Sequence, residues 1–195
     1  MIFPTILAAA AFSSIVAAND LFTLSAFIPG SPLHGQAVAA YGQSYYFGIS
    51  TSSYCPSDVS SCPAGNETVF YPGLGSLTVE VPGGEANYVA TDGRLGFTAP
   101  HSAETPPGSV TPYFGNWTYE NRGPVVYTSS YDTPLYTYNN TQGSGSVLAC
   151  PYTNSGTVFQ QLYVKVAGFN RTDCSELAGL LPAPFVGDYG AWEYA

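Results

Sequence analysis

Four cysteines, three carboxylates beside turns, two histidines and a concentration of tyrosines are the residues of this chain best suited to chemistry. Cys55, Cys62, Cys150 and Cys174 allow three disulfide pairings in an oxidising compartment. Proximity in sequence favours Cys55 with Cys62 and Cys150 with Cys174, rings worth roughly 2.5 and 3.5 kcal/mol in the loop-entropy account. A zinc site is excluded by spacing, because no Cys-x-x-Cys pair or nearby histidine completes a tetrahedron. Glu80, Glu85 and Asp92 flank turns, and a glycosidase needs two carboxyl groups about 5 to 9 Å apart. No spacing rule selects a pair among them, and acidic residues at turn edges are ordinarily solvated or capping groups. His34 and His101 sit in the Pro/Gly-rich stretches SPLHG and APHSAE, where exposure is the simpler reading. The nucleophile elbow Gly-x-Ser-x-Gly is absent, and GSGSV at 143–147 has the wrong spacing. The chain is therefore expected to be non-catalytic, with no metal and no cofactor.

Binding is the sharper chemical alternative. Tyr113, Trp117, Tyr119, Tyr127, Tyr131, Tyr136 and Tyr138 crowd one third of the chain. Aromatic rings present flat apolar faces with a polar edge, which suits sugar rings and protein surfaces alike. They also fit any half-buried pleated strand, so a purely structural role stays open. Tyr136 and Tyr138 share one strand face at i and i+2 and are expected to point outward. With Trp117 they form the ligand-binding candidates.

The elements that must position these residues follow a leader. Residues 1–18, MIFPTILAAAAFSSIVAA, are apolar, uncharged and end in small residues, as a secretory signal peptide cut after Ala18 does. Only about 15 apolar residues precede Asn19, whereas a membrane span needs about 20. Cutting there leaves Asn19 first, not the histidine that a copper-dependent polysaccharide oxygenase would need. Residues 19–195 then make a single β domain, with no membrane anchor after cleavage. Thirteen acidic residues against four basic, a formal charge of −9, disfavour nucleic acid and anionic membranes, both of which rely on clustered Lys and Arg. Asn66, Asn116, Asn139 and Asn170 each open an Asn-x-Thr glycosylation acceptor.

Short β-prone runs broken by Gly and Pro continue to the end of the chain. Asp92-Gly93, between NYVAT and RLGFT, is the strongest hairpin signal. LYVKVAG alternates, with Leu162, Val164 and Val166 opposite Tyr163 and Lys165. SELAGLL is the one helix candidate, limited by Gly179 and Pro182 to about two turns. The pattern predicts an all-β fold of about twelve short antiparallel strands in three groups, 21–71, 76–119 and 125–166, as in a β-trefoil or a related closed barrel.

The motifs SPLHGQAVAA, SSYCPSDVSSCPAGNET, LTVEVPGG, YVATDGRLGFTAPHSAETPPG, VLACPY and TDCSEL, in this order, are more specific. The chain resembles the small secreted fungal proteins described as IgE-binding or cell wall proteins, a group similar to the phialide cell wall protein phiA. That resemblance implies a secreted or wall-associated, non-enzymatic protein of filamentous fungi, in a group that includes allergens, with roles around conidiation or stress protection. It implies cell-wall polysaccharide or wall proteins as partners and brings no catalytic residue with it.

Overall fold

The computed structural model describes residues 21–110, 117–122, 133–140 and 143–195; for 117–122, 133–134, 139–140 and 143–145 the description is of the backbone alone. The chain is all-β. The described strands are β1 (Phe22–Phe27), β2 (Ala39–Tyr41), β3 (Ser44–Phe47), β4 (Ser53–Tyr54), β5 (Ser76–Leu77), β6 (Glu85–Val89), β7 (Leu95–Phe97) and β8 (Trp117–Arg122). They continue as β9 (Thr133–Asn140), β10 (Gly143–Gly145), β11 (Val147–Asn154), β12 (Thr157–Val164), β13 (Ser175–Leu177), β14 (Gly179–Pro184) and β15 (Glu193–Tyr194). Among the described residues one 3-10 turn spans Pro72–Leu74.

One sheet runs β1-β14-β9-β10, with β8 against β9. The other runs β13-β11-β12-β3-β7-β6-β5, with β2 beside β3, and β15 pairs separately with β4. Two bridges through Phe70, to Phe22 and to Leu77, tie the two large sheets along one margin. The period-2 pattern of β1 buries Phe22, Leu24 and Ala26 and leaves Thr23 and Ser25 half-exposed. Those side chains pack with Leu180 of β14 against Tyr45, Phe47, Phe97, Leu162 and Val164 from the second sheet. Both disulfides form as the spacing predicts, Cys55–Cys62 and Cys150–Cys174. The Asp92-Gly93 turn joins β6 to β7 in the expected hairpin, closed by Gly93 N–H donating to Ala90 O at 2.9 Å.

Two expectations are corrected. No closed barrel exists among the described residues, and the three strand groups are not separate units. β1 pairs along its whole length with β14, and β12 pairs with β3, so the first group is completed by residues from far down the chain. The SELAGLL helix is instead the end of β13 and the start of β14. Ser175–Leu177 pairs with Val147–Ala149, and Gly179 onward pairs with β1. Two available partner strands outweigh the weak propensity of a stretch too short to hold a helix alone.

Candidate functional site

The structure moves the aromatic site. Tyr136 and Tyr138 are buried, 8 % and 2 % exposed, because the face they share on β9 is the one turned to the core that the two large sheets share. The ring of Tyr136 stacks on Phe22 with centroids 5.0 Å apart. They are core residues and not an outward ligand platform. Trp117 lies on β8 with its side chain outside the described residues, as does that of Tyr119, and Tyr113, Tyr127 and Tyr131 fall outside altogether.

A different set of tyrosines faces out, on the second sheet. In β3, Tyr45 and Phe47 enter the core, so alternation sends Ser44 and Tyr46 to the other side. In β12, Leu162 and Val164 go inward and Phe159, Gln161 and Tyr163 outward, and in β11 the outward residues are Leu148, Cys150 and Tyr152. Two tight hairpins set the register. Gly42 and Gln43 both take positive φ (54° and 57°) between β2 and β3, and Ser155 and Gly156 do so (50° and 82°) between β11 and β12. Two successive left-handed residues are the geometry of a type I′ turn, in which glycine carries no Cβ penalty.

The result is a continuous aromatic surface. The Tyr41 ring meets the edge of Tyr46 at 6.2 Å, and Tyr46 meets Tyr152 at 5.3 Å. Gln161 donates through Nε2 to the Tyr46 hydroxyl at 3.2 Å, and the Tyr163 hydroxyl donates to Gln161 Oε1, also at 3.2 Å. The Arg171 guanidinium lies 5.3 Å above the Tyr163 ring. Tyr41 and Tyr152 are more than a third exposed, whereas Tyr46 is the buried ring between them. Burial, reinforced by Tyr152, raises the Tyr46 phenol above its ordinary range, so it stays a neutral hydrogen-bonding group. In this strip Tyr41 and Tyr152 present ring area and hydroxyls to solvent, and the buried Tyr46, Gln161 and Tyr163 hold the face together beneath them.

The other candidates separate. Glu85 is 1 % exposed, with Oε1 accepting from Tyr194 N–H at 2.9 Å and Oε2 buried without a hydrogen-bond partner. That position keeps it from an external substrate. Glu80 and Asp92 are exposed, and Asp92 Oδ1 accepts from Arg94 N–H to brace its turn. His34 is exposed, its Nδ1 accepting from Ile28 N–H at 3.3 Å, and His101 is exposed in the loop after β7. Among the described residues no group of three His, Cys, Asp or Glu side chains could hold a metal.

Of the glycosylation acceptors, Asn66 and Asn170 are exposed. Asn116 lies outside the described residues, as does the side chain of Asn139. Thr68 of the first acceptor is structural as well: it is 2 % exposed, and its Oγ1 accepts from Ala40 N–H at 2.7 Å. Thr68→Ala should therefore cost about 1 to 3 kcal/mol by stranding a buried donor, whether or not the chain carries sugar. Urea unfolding of protein made in a non-glycosylating host checks this, with Asn66→Gln expected to be silent there.

Fold and surface together define a disulfide-stabilised β protein with an outward aromatic face. The chain belongs to the same family as an uncharacterized secreted protein of Arthroderma benhamiae, to which it is 35% identical over 161 residues, covering 80% of this chain and 75% of the relative. It is a secreted, extracellular protein. No family model matches it, and no solved structure does.

Proposed function

We propose that this protein is a non-catalytic, wall-associated glycoprotein that holds neutral cell-wall polysaccharide against the strip Tyr41–Tyr46–Tyr152. The carrying observation is that two exposed rings, Tyr41 and Tyr152, flank the buried Tyr46 ring in contact with both, on one sheet face. Sugar rings stack on aromatic faces through their C–H surfaces, while phenol and amide groups bond their hydroxyls. Phosphate or nucleic acid would instead require clustered cations, and the whole chain holds four. The resemblance to phialide-type wall proteins supports the same reading, with roles around conidiation or stress protection following from a place in the wall.

The test is retention of the purified protein on insoluble fungal glucan, chitin and cellulose. Selective binding to one polymer is expected, and Tyr41→Ala with Tyr152→Ala should weaken it about tenfold, since each exposed ring contributes about 0.5 to 1.5 kcal/mol. Melting temperature should hardly move, because both rings are partly exposed. Failure to bind any polymer, or binding unchanged in the double variant, would remove this site.

A further inference from the structure

The strip continues past Tyr163 into a depression of about 350 Å³ that the polysaccharide reading does not use. Its lining includes Leu148, Lys165, Phe169, Arg171 and Glu176, and its rim carries Asn170 and Thr172, the acceptor pair of the last glycosylation signal. Both are exposed, as transfer of a glycan requires. Beneath the depression lies a small apolar cluster separate from the main core: Leu148, Cys150 and Tyr163, with Phe169 and Cys174 against them. The Cys150–Cys174 disulfide is part of that cluster.

The walls are already fixed. Phe169 packs edge-on against Tyr163 at 6.1 Å. Arg171 donates to Asp173 Oδ1 and Oδ2 at 3.0 and 2.8 Å and to Pro151 O at 2.9 Å. The partly exposed Phe169 and Cys174, a braced cation and a carboxylate at one rim form an amphipathic seat, with a glycosylation acceptor beside it.

We infer that the N-glycan of Asn170 is seated in this depression, with its first N-acetylglucosamine covering Phe169 and Cys174 and so shielding the exposed side of the Cys150–Cys174 disulfide. The attachment forms a bond from Asn170 Nδ2 to the anomeric carbon of a lipid diphosphate-linked oligosaccharide. The anomeric C–O bond breaks, the lipid diphosphate leaves with that electron pair, and the amide loses one proton. The seated sugar occupies the Leu148–Tyr163 end of the outward face. The Tyr41–Tyr152 end stays open, so the inference stands whether or not that end binds polysaccharide.

Protein secreted from a glycosylating fungal host supplies the test. Mass spectrometry should find Asn170 occupied. Trimming the folded protein with an endoglycosidase that leaves one N-acetylglucosamine should preserve the melting temperature. Complete removal with a glycan-cleaving amidase should lower it by about 3 to 6 °C and speed reduction of Cys150–Cys174 by about tenfold. Asn170→Gln should reproduce complete removal, whereas Asn66→Gln should not. An unoccupied Asn170, or a fully deglycosylated protein as stable and as slowly reduced as the trimmed one, would overturn the inference. Enzymatic removal acts on protein already folded, so a folding defect in the Asn170→Gln variant cannot obscure the outcome.

Discussion

Glu85→Gln should abolish most of a fall in stability that the wild-type protein undergoes between about pH 4.5 and 8. Glu85 is buried on β6 beneath the segment that carries β15, and desolvation pushes its carboxyl from 4.5 to about 8. The Tyr194 amide, donating to Oε1, pulls the other way, and the neighbouring Glu193 adds a smaller rise. The Tyr45 and Tyr194 phenols facing the site are themselves raised, chiefly by burial, so neither supplies a counter-charge. A folded-state value above the unfolded one means the native state holds the proton more tightly. Its contribution is complete below about pH 4.5, declines by about 1.4 kcal/mol per pH unit above that, and is gone beyond about pH 8, roughly 5 kcal/mol in all. Glutamine is neutral throughout and keeps an oxygen for the Tyr194 amide. Urea unfolding of both proteins at half-unit steps from pH 4 to 8.5 gives the comparison. The two should match in acid and diverge steadily above pH 5, with the variant the more stable. Parallel curves would mean that Glu85 ionises in the native state as readily as in the unfolded chain. Repulsion among the surface carboxylates affects both proteins equally and cancels in the difference.

What could be read in advance divides according to the range of the interaction. The Asp92-Gly93 hairpin, the alternation of Leu162 and Val164 and the two disulfide rings are carried by neighbours in sequence, and all were legible there. The pairing of β1 with β14 and of β3 with β12 was not, because no local feature of Phe22–Phe27 names Gly179–Pro184 as its partner. Those pairings replace the expected barrel with open sheets. The tyrosines show the same limit at the scale of one side chain. A period of two separates Tyr45 from Tyr46, and likewise sets Tyr136 with Tyr138, but does not say which face will be covered. The covering layer decides that: Tyr136 and Tyr138 are turned to the core they share with Tyr45, Phe47 and Leu162 of the second sheet, whereas Tyr41 and Tyr152 stay more than a third exposed. Two adjacent tyrosines in SYYF are interchangeable by composition, so the outward strip could be found only once the sheet had a partner.

Gly190→Ala should be severely destabilising, costing about 3 kcal/mol or more. The segment from Gly190 to Ala195 is threaded between earlier strands. Gly65 N–H donates to Gly190 O and Gly190 N–H to Thr78 O, each at 3.0 Å, and Val81 N–H donates to Trp192 O at 2.9 Å. At its centre the Tyr194 hydroxyl accepts from Val69 N–H at 3.0 Å and donates to Glu67 O at 2.7 Å. A Cβ on Gly190 would collide with that hydroxyl and lie 2.6 and 2.8 Å from Val69 Cγ2 and Cβ. Moving the phenol would strand a buried amide and carbonyl, and Val69, fully buried, has nowhere to go. If the cost is this collision, Val69→Ala should recover part of it. The double variant should then be more stable than the sum of the two single losses by about 1 kcal/mol or more, read from urea midpoints at constant m. Strict additivity would assign the loss to the displaced Tyr194 hydroxyl or to the backbone of residue 190, and not to Val69. A single-variant cost below about 1 kcal/mol would mean that the segment yields more easily than its hydrogen bonds imply.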